Sequence, residues 1–170
     1  MKIAAVVGAR PNFVKIAPIM AELRLHPSLQ SILVHTGQHY DRRLSGSFFD
    51  ELEIPEPDVN LNVGANDPVT QTAEIMLRLG PVLALERPDL VLVVGDVTST
   101  VAATLVAVKT GVRVAHVEAG LRSFDRSMHE EINGIVTDAL SEWLFVSERS
   151  ALTNLDREGV DLAVLFPTRG

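Results

Sequence analysis

Three carboxylates stand where this sequence passes from apolar to polar. Asp96 follows the run DLVLVVG, Glu118 closes VRVAHVE, and Glu130 lies at the start of a helical stretch in HVEAGLRSFDRSMHEE, residues 116–131. Two cations flank the first apolar run: Arg10 comes directly after Gly8-Ala9, and Lys15 lies one turn into the next helix. Crowded, partly buried carboxylates have separated proton affinities and can exchange protons with a substrate. An arginine and a lysine beside a helix N-terminus suit a phosphate. The chemistry on offer is proton transfer beside an anion site.

Each residue also has an ordinary structural role open to it. Asp96 fits the N-cap of the helix that follows. Ser127-x-x-Glu130 reads as a capping box, and Glu131 as a first-turn acid favoured by the helix dipole. His39, in Thr36-Gly37-Gln38-His39, reads alone as a structural hydrogen-bonder, and Lys15 as solvated surface. Gly8 reads as a tight turn, but that does not account for Arg10 beside it. Glu118 is harder to absorb, because a glutamate closing a buried apolar strand needs a partner or a function.

Positioning such groups is the task of the apolar runs. IAAVVG (3–8), SILVHTG (31–37), DLVLVVG (89–95), VRVAHVE (112–118) and EWLFVS (142–147) are short, rich in Val, Ile and Leu, and mostly apolar on both faces. Strands covered on both sides read this way. A further short strand is expected near 58–62, inside the long loop-like stretch 53–68.

Helical periodicity fills the intervals. Residues 67–79 begin with Asp67 as N-cap and Pro68 at the first helical position, with Val69, Ala73, Met76 and Leu79 or Gly80 near one face. Residues 97–110 end at Gly111, a good C-terminal glycine. Residues 128–141 carry the stripe Ile132, Ile135, Val136, Ala139 and Leu140. Alternating strands and helices predict a doubly wound α/β domain with a mainly parallel, Rossmann-like sheet. In such sheets ligands bind beyond the carboxyl ends of the strands, which is where the three acids, Arg10, Lys15 and Arg122 fall.

Composition narrows the partners. The chain has 170 residues, 46% hydrophobic and 22% charged, enough for one domain with a sizeable core. A net charge of −7 without a basic run argues against nucleic acid and anionic membrane. The absence of cysteine excludes disulfides, zinc–thiolate sites and cysteine nucleophiles, and fits the cytosol. No metal site is expected. The N-terminal apolar run is too short to span a bilayer and is interrupted too soon to be a signal peptide. The 8–15 stretch has one glycine where a dinucleotide fingerprint has three, so NAD binding is disfavoured.

Five segments together resemble the non-hydrolysing UDP-N-acetylglucosamine 2-epimerases: GARPNFVKIAP (8–18), TGQHYD (36–41), GDVTSTVAA (95–103), HVEAGLRSFD (116–125) and EEIN (130–133). The resemblance covers residues 1–160 or so, in the family's order and spacing. It implies a two-domain GT-B architecture with the active site in the cleft between two Rossmann-like halves. It implies interconversion of UDP-N-acetylglucosamine and UDP-N-acetylmannosamine, by loss of UDP to a 2-acetamidoglucal and re-addition, with no cofactor. On it, Asp96, Glu118 and Glu130 match the catalytic acids, and Arg10 and Lys15 match basic substrate-site positions. His39 and Arg122 join these as expected substrate-binding residues. A cytoplasmic location and a homodimer are the accompanying expectations.

The sequence also departs from the family pattern. The expectation is of an N-terminal domain over 1–160, an atypical tail over 161–170, and no C-terminal domain. That second domain would bring a catalytic histidine and most nucleotide contacts. The usual P-E-E-x-N-R reads His129-Glu130-Glu131-Ile132-Asn133-Gly134 here, so Gly134 replaces an arginine and His129 a proline. The expected chain is therefore a fragment, weakly active or inactive alone. Alternatives are a hydrolysing 2-epimerase, a non-catalytic UDP-sugar-binding or assembly module, and a GT-B glycosyltransferase.

Overall fold

A computed structural model describes residues 1–37 and 56–161, and the backbone of 165–167. The strands are β1 (Lys2–Val7), β2 (Gln30–His35), β3 (Val59–Asn60), β4 (Leu90–Val94), β5 (Arg113–Val117), β6 (Trp143–Val146) and β7 (Leu165–Pro167). The helices are α1 (Arg10–Arg24), α2 (Pro68–Glu86), α3 (Thr98–Lys109), α4 (His129–Leu140) and α5 (Arg149–Arg157). Among the described residues the strands form one sheet in the order β3-β2-β1-β4-β5-β6-β7, every neighbouring pair parallel. The doubly wound, Rossmann-like α/β fold is as predicted.

Strand alternation divides the core between the two faces of the sheet. Ala4, Val6, Val91 and Val93 point to one face and pack with Ile75, Leu79 and Leu83 of α2 and Ala102, Ala103 and Val106 of α3. Ile3, Ala5, Val7, Leu90 and Leu92 point to the other and pack with Phe13, Ile16 and Met20 of α1. A smaller cluster joins Ala119, Leu144 and Val146 to Ala151 and Leu155 of α5. No helix among the described residues is long and apolar enough to cross a membrane.

Parallel pairing brings all the carboxyl strand ends to one edge. The chain runs outward from β1 to β2 and β3, then returns to the other side of β1 with β4. That makes β1 and β4 the topological switch point, with β5 adjacent to β4. Residues after β1, β4 and β5 therefore meet over the centre of the sheet.

Three local expectations change. The helix expected over 67–79 starts as predicted, with Asp67 accepting from Val69 N at 3.0 Å and Thr70 N at 3.1 Å. It then continues through Gly80-Pro81 to Glu86, and its buried face is Gln71, Ile75, Leu79 and Leu83. Val69 is 79% exposed and Ala73 is exposed, so the expected stripe runs about a quarter turn off the true inner face. The register is set by contact with α3 and the sheet, which sequence periodicity does not contain.

Helix α4 departs further. Its buried positions are Glu131, Gly134, Thr137 and Asp138, while Ile132 and Leu140 are exposed and Ile135 and Val136 half-buried. The helix turns its polar side inward because the groups it meets there are polar. Finally, residues 165–167 add an edge strand beside β6 in a stretch to which sequence reading gave no element.

Candidate active site

The loop after β1 is built around Asn12. Ala9 N donates to Asn12 Oδ1 at 3.1 Å, and Asn12 Nδ2 donates to Val94 O at 2.7 Å. The buried amide thus ties the start of α1 to the end of β4. Arg10 opens α1 and is exposed, and Lys15 sits one turn on. Sequence reading passed over Asn12, although an amide a few residues after a strand-ending glycine is a recognisable backbone-capping signal.

After β4 the chain turns through Gly95, whose φ is +69°. Only glycine adopts that conformation without strain. A Cβ there would also lie within 4 Å of the Asn12 amide, the Glu118 carboxylate and the Lys15 ammonium. Asp96 follows and does not cap the next helix: the N-cap is Val97, which makes no side-chain cap bond. The main-chain carbonyl of Asp96 accepts from Asn133 Nδ2 at 2.9 Å, which gives the Asn of EEIN a purpose.

Glu118 ends β5 with φ +68°, in the left-handed region that a residue with a side chain occupies only under strain. The turn aims its carboxylate at Lys15, and the two form an ion pair across the switch point. The partner that Glu118 needed is therefore one of the two cations singled out from the sequence.

The capping-box reading of Ser127 and Glu130 does not hold. Helix α4 starts at His129 with Met128 as N-cap, and Ser127 Oγ instead donates to Asp125 Oδ1 at 2.6 Å. Glu130 is exposed, close enough to Asp96 for its charge to be felt there. Its neighbour Glu131 is buried and accepts from both Ser123 N at 2.7 Å and Ser123 Oγ at 2.9 Å. Of the adjacent acids, Glu131 fastens the loop and Glu130 is left facing outward.

Lys15, Asp96, Glu118 and Arg122 all line one pocket, with Gly95, His116, Leu121 and Gly134 completing its wall. Its open space is about 340 Å³. Asp96 has a face open to solvent, yet crowding by the surrounding protein is the largest influence on it. Together with the charges of Glu130 and Glu118, that outweighs its own backbone hydrogen bond and Lys15, and holds its carboxyl above the usual range. Arg10 begins the adjoining helix outside this wall, and His39 lies outside the described residues.

Arg122 is turned inward. Its Nε donates to Glu158 Oε1 at 2.8 Å, its Nη2 to Glu158 Oε2 at 2.6 Å and to Asp138 Oδ2 at 2.7 Å, and its Nη1 to Leu121 O at 2.8 Å. Burial works against its charge, but the two carboxylates outweigh that and hold it above the ordinary arginine range. This guanidinium shapes the wall with most of its donors already engaged. Gly134 leaves the wall open: an added Cβ would find only ordinary contacts, 3.7 Å to Arg122 Nη1 and 3.9 Å to Asp96 Cβ. Among the described residues no group of three metal-ligating side chains could hold an ion.

The family model described as UDP-N-acetylglucosamine 2-epimerase matches residues 21–168. The chain belongs to that family. A UDP-N-acetylglucosamine 2-epimerase homolog of Methanococcus maripaludis is 49% identical over 164 residues, covering 96% of this chain and 45% of the relative. A UDP-2,3-diacetamido-2,3-dideoxy-D-glucuronate 2-epimerase of Pseudomonas aeruginosa is 43% identical, covering 95% of this chain and 46% of the relative. The crystal structure of the Methanocaldococcus jannaschii UDP-GlcNAc 2-epimerase, in complex with UDP-GlcNAc and UDP, superposes with a TM-score of 0.94 at 42% identity. That match covers 98% of this chain and 46% of the other. The chain thus spans about half the length of the relatives it matches. The family assigned from five segments in the sequence is the one the comparisons show.

Proposed function

We propose that this chain provides the proton-transferring part of a UDP-N-acetylglucosamine 2-epimerase site, converting UDP-N-acetylglucosamine to UDP-N-acetylmannosamine. The supporting observation is the convergence of Lys15, Asp96 and Glu118 on one pocket at the switch point of the sheet. Inverting C2 by elimination and re-addition requires a proton to leave one face as the anomeric C–O bond to UDP breaks, and a proton to arrive at the other face as that bond re-forms. Asp96, with its raised proton affinity, is suited to hold and return a proton. Glu118 and Glu130 are the other proposed acids. Lys15 and Arg10 supply positive charge for the departing diphosphate, with Arg122 and His39 as further substrate-binding residues.

A related substrate is a second reading, favoured by the 43% identity to an epimerase acting on a diacetamido glucuronate. The C2 chemistry is shared. A homodimer is proposed to cover the exposed Ile132 and Leu140 of α4, and analytical ultracentrifugation reads it directly. A cytosolic location fits a UDP-sugar substrate.

The test is incubation of the chain with UDP-N-acetylglucosamine in heavy water, followed by NMR of sugar and protein. The expected result is perturbation of the Lys15, Asp96 and Glu118 resonances and slow appearance of solvent deuterium at C2, lost in Glu118→Gln. Pocket resonances untouched by millimolar nucleotide sugar, with no exchange at C2, would overturn the proposal. Running the diacetamido glucuronate alongside separates the two substrates.

A further inference from the structure

One buried histidine–aspartate pair at the pocket wall has no part in the proton transfer just proposed. His116, on β5, is 2% exposed, and Asp138, on α4, is 3% exposed. His116 Nε2 lies 2.8 Å from Gly95 O, and a carbonyl can only accept, so that nitrogen carries a proton. Its Nδ1 lies 2.6 Å from Asp138 Oδ1, a separation that requires a proton between them. The second oxygen of Asp138 accepts from Gly120 N at 2.9 Å and from Arg122 Nη2 at 2.7 Å.

These bonds join two loops. Gly95 O belongs to the peptide linking Gly95 to Asp96, so His116 holds the segment carrying that acid. Gly120 N lies two residues beyond Glu118, so Asp138 holds the turn that keeps Glu118 at φ +68°. A strained backbone persists only where its surroundings over-determine it. Resting on the proton-transfer role proposed for the acids, we infer that His116 and Asp138 form a positioning pair that sets the separation of the Asp96 and Glu118 carboxylates.

The separation can be read through the charges. Asp96 is faced by Lys15, Glu118 and Glu130, and Arg122 and Gly134 share its pocket wall. In the unaltered chain, Glu118→Gln lowers the carbon-13 titration midpoint of Asp96, because a like charge has been removed. In an Asp138→Ala background, which removes the partner of both His116 and Gly120 N, the same substitution is expected to have about half that effect or less, since the interaction weakens as the groups move apart. An undiminished effect in a folded Asp138→Ala chain overturns the inference, whereas a simple loss of stability would not alter this difference of differences.

The paired variant His116→Gln with Asp138→Asn restores matched partners. The amide introduced at position 116 can donate to Gly95 O, and its carbonyl can accept from the amide introduced at position 138. It is expected to recover the effect of Glu118→Gln; failure to recover it counts against the pair. The unaltered chain gives an answer that needs no substitution. A through-bond coupling between the His116 ring nitrogen and the Gly95 carbonyl carbon is expected, and its absence overturns the inference even if the variants do not fold. If the titration coupling behaves as expected but nucleotide sugar leaves the pocket resonances untouched and no C2 exchange occurs, the positioning pair stands and the epimerase reading falls.

Discussion

The two edges of the same sheet are built differently. At the amino edge, Lys2 N donates to Asp89 Oδ2 at 2.7 Å, Asp89 N returns a bond to Lys2 O at 2.8 Å, and Lys2 Nζ pairs with Glu86 at 2.5 Å. Lys2 and Glu86 are a matched ion pair in half-open surroundings, and the exposed Asp89 carboxylate is met by a main-chain donor. At the carboxyl edge, Glu118 is held in a left-handed conformation, Asp96 is crowded by like charges, and a network runs from buried His116 and Asp138 through Arg122 to the exposed Glu158. A strained strand end beside crowded like charges, set against a matched pair on the other edge, is the contrast expected if stability is given up for the proposed chemistry.

The contrast is sharpest at Gly120. Its φ is +79°, and a Cβ would lie 2.7 Å from Ala151 O and 2.9 Å from Leu155, so there is neither conformational nor physical room. Gly120→Ala is expected to cost about 3 kcal/mol or more, read by chemical denaturation. An effect near zero would show that the carboxyl edge is more pliable than its geometry indicates.

Next comes Asp138→Asn. Burial alone would raise this carboxyl, but the bonds from His116 and Arg122 outweigh it and hold it below the usual carboxylate range. Replacement leaves Arg122 and His116 short of a buried counter-charge, at a cost of about 3 kcal/mol. The sign with pH follows from linkage. A depressed folded-state value contributes stability above the unfolded carboxylate range and loses it as pH falls through the folded value. The gap between the two chains should therefore close in acid. By comparison, Lys2→Met at the amino edge should cost less than about 1 kcal/mol.

Gly134→Ala works in the opposite direction. Its neighbours stand at ordinary contact distance, so a helical alanine should add about 0.5–1 kcal/mol of stability while narrowing the pocket wall. Thermal unfolding checks the first part, and nucleotide-sugar titration the second.

Asp96→Asn should have the smallest effect on the fold and a large one on C2 exchange. The raised carboxyl binds its proton more readily folded than unfolded, so as pH rises through that window the native state loses stability. The neutral asparagine escapes that loss. At pH 7, with part of the group open to solvent, a rise in Tm of about 1–2 °C is expected. A fall in Tm would mean that Asp96 is a structural anchor and would weaken the contrast between the edges.

Much of this was legible in the residues themselves. Short runs of Val, Ile and Leu, apolar on both faces, could only be covered strands, and their alternation with helical segments forced parallel crossovers. Asp96 and Glu118 drew attention because each ends an apolar run at a place where such folds deliver ligands, Arg10 and Lys15 because they follow the first run, and Glu130 because it opens a helix. Asp67 and Pro68 announced a helix start with side-chain chemistry that works locally.

Helix faces were not legible in the same way. The apolar stripe of α4 looked like its inner side, yet Glu131 and Asp138 are buried in its place, because their partners Ser123, His116 and Arg122 are brought against it by the preceding strand and loop. Likewise Glu130 and Glu131 are identical in type and adjacent in position, and only packing separated the acid facing outward from the one that fastens a loop. The sequence by itself determined the class of fold, the edge where chemistry gathers and the residue types available there. Tertiary structure decided which of them pair, since a partner tens of residues away leaves no periodic trace and the burial of a charge depends on all the groups that surround it.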